Sequence, residues 1–300
     1  MKFFKKTNVD FIGIRKVCYA ISLGLILISA YAIVAKKLNM SIEFTGGTLL
    51  QAQFNELPSI ETVRESLTAE GWDGFSLQTQ PTDKSIIIRV KQGTSSKEDI
   101  SGRLMSNLKK SFPGNVRDLP ERVEFVGPVI GKKLVIDAYK AIFGSLLVIV
   151  LYVAIRFKNW IWGLVGVLAL AHDVFITFGL LVLFNREITL VVIAALLTLA
   201  GYSINDTIVI FDRVRENLRS SRKESLKDLY NRSLNETLSR TFNTSLCALM
   251  ASASLLLGGI VLQDFAIAMT FGVVIGSYST VFVAISAIYQ WEMSRKSRKG

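Results

Sequence analysis

Long apolar runs alternate with polar, charged stretches along this 300-residue chain. Six runs, at residues 17–35, 138–155, 161–183, 188–211, 243–262 and 265–289, approach or exceed the roughly 20 apolar residues that a bilayer-crossing helix needs. The second and third, third and fourth, and fifth and sixth are separated by only a few residues, which predicts antiparallel hairpins. Two connections are long, and in the first of them, 39–136, the period changes. Leu50, Ala52 and Phe54 alternate with Gln51 and Gln53 as in a strand, and Ile60, Val63 and Leu67 then keep helical spacing until Gly71. Phe75, Leu77 and Thr79 predict a second strand and Ile86, Ile88 and Val90 a third, joined through Pro81-Thr82-Asp83-Lys84, which has turn chemistry. Ser95 and Glu98 form a capping-box pattern ahead of Ile100, Leu104 and Leu108, and Val123 with Phe125 supplies a last strand. The order β-α-β-β-α-β is the split βαβ signature of a ferredoxin-like fold. The expected architecture is a polytopic α-helical membrane protein of six transmembrane helices with an inserted α+β ferredoxin-like extracytoplasmic domain.

Composition agrees: half of the residues are hydrophobic and the mean hydropathy is +0.40. The net charge of +11 would suit nucleic acid, but its placement argues for topology. Lys2, Lys5, Lys6, Arg15 and Lys16 precede the first run, Arg156 and Lys158 lie between the second and third, residues 212–242 hold eight Lys or Arg, and Arg295, Lys296, Arg298 and Lys299 follow the last. All fall on one side, as the positive-inside rule requires, so residues 1–16, the loop 212–242 and the tail 290–300 are expected in the cytoplasm. The large segment is close to charge balance, which leaves no basic face for nucleic acid. The first run, ending near Ala30-Tyr31-Ala32, has features of a cleaved signal peptide. It is longer than a usual h-region, however, and an uncleaved helix keeps the span count even, so retention is expected. Cys18 and Cys247 fall in spans, leaving the external domain no disulfide framework, and a single histidine makes no zinc site. Neither a metal nor a cofactor is expected.

The chemistry worth locating lies inside the apolar runs. Asp206 sits within the fourth, beside Tyr202, Ser203, Asn205 and Thr207. A carboxylate at mid-membrane costs roughly 2.5–3.5 kcal/mol to insert, so it faces a partner or water and marks an ion or proton path. On a helix Tyr202, Asp206, Val209 and Arg213 share one face, flanked by Ser203 and Thr207. Arg240, expected at the start of the fifth span, is long enough to reach Asp206. Two readings fit the pair: a fixed ion pair holding two helices, or a proton carrier with a cation that tunes it. His172 and Asp173 form a second polar site in the third run; as neighbours they point to different faces, so at most one is expected toward Asp206. Asp212, Arg213, Arg215 and Glu216 are expected as an interfacial charge network. Gly46-Gly47 lacks the Lys and Ser/Thr of a phosphate loop. With Gly127, Pro128 and Gly131 it predicts the turns, or hinges, that join the external segment to its flanking spans. Gly272 and Gly276 with Ser279 form a small-residue row that favours close helix packing, within the chain or against a partner.

Residues 201–217, Gly-Tyr-Ser-Ile-Asn-Asp-Thr-Ile-Val-Ile-Phe-Asp-Arg-Val-Arg-Glu-Asn, closely resemble the fourth-span signature of the SecF family of bacterial protein-export membrane proteins. Ser41-Ile42-Glu43-Phe44-Thr45-Gly46-Gly47, Val126-Gly127-Pro128 with Gly131, Ala171-His172-Asp173-Val174, Thr237-Leu238-Ser239-Arg240-Thr241 and Asp264-Phe265-Ala266 with Gly272, Gly276, Tyr278 and Ser279 match its other motifs in order. Ser41 and Glu43 stand where the family more often has Gly and Asp. The resemblance implies a multi-pass subunit of the bacterial cytoplasmic (inner) membrane with both termini in the cytoplasm. It would pair with SecD, act beside the SecYEG channel and YajC on exported preproteins, and draw on the proton gradient through the Asp and Arg at positions 206 and 240. It implies no enzymatic activity. Half of a proton-driven small-molecule exporter of the same superfamily is an alternative. An intramembrane aspartyl protease using Asp173 and Asp206 is another, though the Gly-x-Gly-Asp of such enzymes is lacking.

Overall fold

The computed structural model describes residues 7–36, 38–80, 83–90, 97–157, 159–220, 224–257 and 260–297. The chain divides into two compact units, 40–140 and the remainder.

In the smaller unit a short helix α1, Ile42–Thr45, leads into β1, Gly47–Gln53, followed by α2 (Ile60–Ala69), β2 (Phe75–Gln80), β3 (Ser85–Val90), α3 (Lys97–Ser111) and β4 (Arg122–Val126). The sheet is antiparallel in the order β2-β3-β1-β4, and Leu50 of β1 lies opposite both Ile88 and Val123. The alternation read from the sequence is the cause of one buried face. Leu50, Ala52, Phe54, Ile86, Ile88 and Val90 meet Val63 and Leu67 of α2 and Ile100, Leu104 and Leu108 of α3. The polar positions between them are not solvated as a half-buried strand would suggest: Gln51 is buried, and its amide donates to Ser85 Oγ at 2.9 Å and Glu121 Oε2 at 2.8 Å. Ser59 caps α2 by accepting from Thr62 N–H, and Gly71 (φ +79°) takes the left-handed conformation just past its end. Pro81 and Thr82 of the expected turn, and the Ser95–Glu98 capping box, lie outside the described residues and side chains.

The larger unit is helical: α4 Arg15–Ala35, the distal part of α5 (Pro128–Arg156), α6 Trp160–Leu183, α7 Leu190–Ser220, α8 Leu226–Leu255, α9 Ile260–Tyr278, a π-helical stretch Ser279–Ala284, and α10 Ile285–Ser297. Among the described residues five helical segments are long and apolar enough to cross a membrane: α4, α5, α6, α7 and the continuous rod from α9 to α10. The fifth expected span does not qualify, because Asn243, Thr244, Ser245, Ser252 and Ser254 dilute it. Its bounds differ too. Helix α8 ends at Leu255 and α9 begins at Ile260, so the turn falls inside the expected run 243–262.

Two other expectations are corrected. The supposed loop 212–242 is helix on both sides of residues 221–223. Leu226, Leu229, Tyr230, Ser233, Leu234 and Thr237 keep helical spacing on a buried stripe, and Ser225 caps it; dense charge had concealed that stripe. Likewise α5 starts at Pro128, ten residues before the expected span, with the proline at the first helical position where its missing N–H costs nothing. The core of the helical unit gathers Phe211, Val214, Tyr230, Ile285, Ile288 and the ring pair Trp162–Phe211, 5.3 Å between centroids.

Candidate functional site

Asp206 lies a little past the middle of α7 and is 3% exposed. Its carboxylate accepts from Thr244 Oγ1 of α8, at 3.4 Å to one oxygen and 3.5 Å to the other. That hydroxyl is also within reach of the Arg240 carbonyl at 3.1 Å and the Thr241 carbonyl at 2.9 Å. A hydroxyl carries one proton, so bonding Asp206 and bonding the α8 backbone are alternatives. Among the described residues no Asp206–Arg240 ion pair closes within 4.0 Å. Arg240 instead lines a pocket with Val209, Asp212, Arg213, Glu216, Glu236 and Thr237. It is not at a helix start, as expected, but lies midway along α8. In the same turns Thr241 Oγ1 and Asn243 Oδ1 are buried without a partner among the described residues. Tyr202, one turn before Asp206, donates to Ser245 Oγ at 3.3 Å, and Ser245 pairs with Ser277 of α9 at 2.7 Å.

The expected polar cluster therefore divides around α7. Tyr202 and Asp206 face α8. Ser203 and Thr207 turn elsewhere: Ser203 Oγ donates to Asp173 Oδ2 at 2.5 Å, and Thr207 Oγ1 pairs with Thr280 Oγ1 at 3.1 Å. Asn205 is exposed. Asp173 is fully buried, and its other oxygen meets His172 Nδ1 at 2.9 Å. Adjacency on the helix thus did not keep the two side chains of α6 apart, because the imidazole folds back onto the carboxylate. Asp173 faces Ser203 and not Asp206. The charges beyond the apolar part of α7 form the expected network, with Asp212 joined to Arg156 and Arg213 joined to Glu236 at 2.7 Å and Glu216 at 2.6 Å.

The glycines are placed as close approaches. Gly46 (φ +69°) and Gly47 (φ +135°) make the turn into β1. A Cβ on Gly131 would stand 3.3 Å from Gly46 N, so these two motifs pack together; Gly127 has open space around it. On α9 a Cβ at Gly272 would lie inside Leu199, and one at Gly276 would sit 3.3 Å from Ser203 Cβ and 3.6 Å from Asp173 Oδ2. With buried Ser279 this row packs closely against α7 and α6 of the same chain.

Sequence reasoning missed Thr244, Ser245, Ser277 and Thr280. Thr244 follows Arg240 by four residues, one helical turn, and that spacing would have exposed it had 212–242 been read as helix.

Residues 107–294 match the family model described as "Protein export membrane protein SecD/SecF, C-terminal", and residues 31–56 match the "SecD/SecF GG Motif". Among curated proteins the chain is 38% identical to protein translocase subunit SecF of Endomicrobium trichonymphae, over 99% of this chain and 96% of that protein. It is 40% identical to the SecF subunit of Thermodesulfovibrio yellowstonii, over 93% of each. Among solved structures it is similar to SecDF from Thermus thermophilus, with TM-score 0.85 and 37% identity over 95% of this chain. That match covers 39% of the other chain. SecDF in its super-membrane-facing form gives 0.72 and 36%, covering 99% of this chain and 40% of that one. The chain thus spans about two fifths of the SecDF chains but nearly all of the SecF proteins. With its family models, its full-length relatives and its intramembrane motifs in agreement, the chain belongs to the SecD/SecF family of protein-export membrane proteins, on its SecF side.

Proposed function

We propose that this SecF-type subunit of the Sec translocase accessory complex pairs with SecD in the bacterial cytoplasmic membrane, and that Asp206 takes up and releases the protons whose flow assists export through SecYEG, with YajC nearby. The observation that carries the reading is the thin hold on Asp206. It is a buried carboxylate in an apolar helix which, among the described residues, is bonded only by a hydroxyl whose single proton has other acceptors and has no ion pair closed onto it. A fixed structural pair would show a short, charge-assisted contact of about 2.7–2.9 Å. The protease reading fits this geometry less well, since Asp173 and Asp206 bond different helices.

The topology proposed with it has six spans, α8 supplying the one that its hydroxyls make weakly apolar, both termini in the cytoplasm and residues 40–140 outside. The strand order β2-β3-β1-β4, all antiparallel, supports a ferredoxin-like fold for the outer unit. The test is export of a secretory protein into membrane vesicles carrying Asp206→Asn under an imposed proton gradient. Loss of the gradient-dependent part, with expression and assembly intact, is expected. Full retention of gradient dependence sinks the coupling role and leaves the residue structural.

A further inference from the structure

The segment before α4 is fastened to the polar half of α8 by a row of side chains four residues apart. Asn235 grips the backbone of Val9 from both sides: Val9 N–H donates to Asn235 Oδ1 at 3.0 Å, and Asn235 Nδ2 donates to Val9 O at 3.0 Å. One turn earlier Asn231 Oδ1 accepts from Ile12 N–H at 3.0 Å, and its amide donates to Asp10 Oδ1 at 2.7 Å. A further turn back Lys227 donates to Asp10 Oδ2 at 2.6 Å. Asp10 also folds the segment on itself by accepting from Gly13 N–H at 2.8 Å. Between these bonds Phe11 and Ile12 are buried, and Phe11 meets Phe282 of the π-helical stretch at 5.6 Å between centroids. None of these contacts touches Asp206, yet α8 is the helix that carries both Arg240 and Thr244.

The opposite side of α8 is held by α7. Asn217 Nδ2 donates to Ser233 Oγ at 2.8 Å, and Arg213 pairs with Glu236. Ser233 stands two residues from Asn231 and Asn235, about 200° around the helix, so α8 is gripped from two directions. Thr244 is nine residues beyond Asn235, again about 180° away. We propose that Asn231 and Asn235 are positioning residues for the Asp206 site: by clamping the Val9–Gly13 strap they fix the rotation of α8 and hence the presentation of Thr244 and Arg240 to Asp206. A turn of α8 by about 20° moves an atom at its outer radius of about 5 Å by about 1.7 Å. Thr244 is already 3.4 Å from the carboxylate, at the long edge of a hydrogen bond, so that displacement breaks it. The inference rests on the coupling role of Asp206 for its effect on export, but its geometric half stands separately.

The test uses two substitutions made from opposite sides of the clamp in the full chain with its partner. Asn235→Ala removes the side chain from α8. Val9→Pro removes the N–H that Asn235 receives and leaves α8 untouched. Spin labels at Phe175 of α6 and Phe242 of α8, both exposed and outside the site, report the rotation of α8 by their distance distribution. Both substitutions are expected to shift or broaden that distribution by about 2 Å, a misplacement of the size that costs a reaction geometry about tenfold or more. The gradient-driven part of export should fall by that factor while the gradient-independent part holds. An unchanged distance distribution in both variants overturns the proposal whatever Asp206 does. A shift with Asn235→Ala but none with Val9→Pro overturns it as well, because Asn235 then acts within α8, where its amide also bonds the Asn231 carbonyl. A shift in both with export unaltered would refute the coupling of the strap to the site and leave the Asp206→Asn result as the separate judge of that residue.

Discussion

Gly179→Ala in α6 is the smallest change expected to separate two helices of the bundle. A Cβ there would stand 2.6 Å from Ser29 Cα, and closer still to the Ser29 side chain. Contacting carbons prefer about 3.5–4.0 Å, so α4 must withdraw from α6 by about 1 Å where Ser29 crosses it. A gap of that size forfeits a quarter to a half of each dispersion contact along the seam, and overpacking of this kind costs about 1–3 kcal/mol. Because the obstacle is backbone, the upper part of the range applies. Against it stands about 0.5–1 kcal/mol that alanine gains over glycine inside a helix, leaving a net loss of about 2 kcal/mol, or about 4–8 °C in Tm. Thermal unfolding in detergent, followed by exposure of a buried cysteine such as Cys18, measures it. Two companions sharpen the test. Gly24→Ala in α4 meets nothing within 4 Å and should leave Tm unchanged or raise it. Adding Ser29→Gly to Gly179→Ala should recover only part of the loss, since the Cα remains. If Gly179→Ala unfolds at or above the parent temperature, the close approach of α4 to α6 is refuted.

Thr244→Val should lower gradient-driven export in vesicles while Thr244→Ser retains it, because the hydroxyl and not the methyl faces Asp206; equal activity of the two would remove Thr244 from the site. Asp10 is held down to about 2 from its usual 3.8 by hydrogen bonds from Lys227, Asn231 and Gly13 N–H, in that order. A carboxyl whose folded pKa is depressed adds stability present above its unfolded pKa and lost as pH falls through the folded one. The strap is therefore expected to stay clamped at neutral pH and to loosen between about pH 4 and pH 2, read as a rise in mobility of a spin label at Val9; loosening between pH 5 and 7 would contradict it. Ile88→Ala empties a fully buried position under two helices and should cost about 2–5 kcal/mol. That loss should appear as faster proteolysis confined to residues 40–140, and cleavage within the helical unit would argue against it.

The strands and helices of residues 40–140 were readable because one face is a clean period-two or period-3.6 pattern of Leu, Ile and Val. The other face was not, because Gln51 and Ser85 look solvated in sequence and are buried by pairing with each other and with Glu121. Asp206 announced itself by its cost in an apolar run. Its partner on α8 did not, since Thr244 lies in a stretch where hydroxyls and amides dilute the hydropathy and a charged helix precedes it. Faces around α7 were assigned correctly for Tyr202 and Asp206, which share a side. What spacing could not say is that Ser203 and Thr207, under half a turn further round, belong to Asp173 and Thr280 instead. That depends on which helices pack there, a tertiary fact. The strap was the least visible, because Val9 and Ile12 are held through backbone groups, which leave no mark on the residue types.

The π-helical stretch Ser279–Ala284 has a consequence for how the last helical rod can vary. Gly276, Thr280, Ala284 and Ile288 recur at every fourth position and are all buried. In a plain α-helix a four-residue step advances about 40°, so three steps would carry Ile288 about 120° around from Gly276. A wider turn holds a surplus residue and winds most of that drift back, so one wall of the bundle is lined from end to end. Loss of a single residue within 279–284 would remove that surplus and give a straighter, plain α-helix in which Ile285, Ile288 and Tyr289 keep close to their seats, because eleven residues at about 100° each still bring Ile288 to within about 20° of the side that Gly276 faces. The stretch thus takes up a one-residue change in length by a change of helix type, and the lining of that wall survives it.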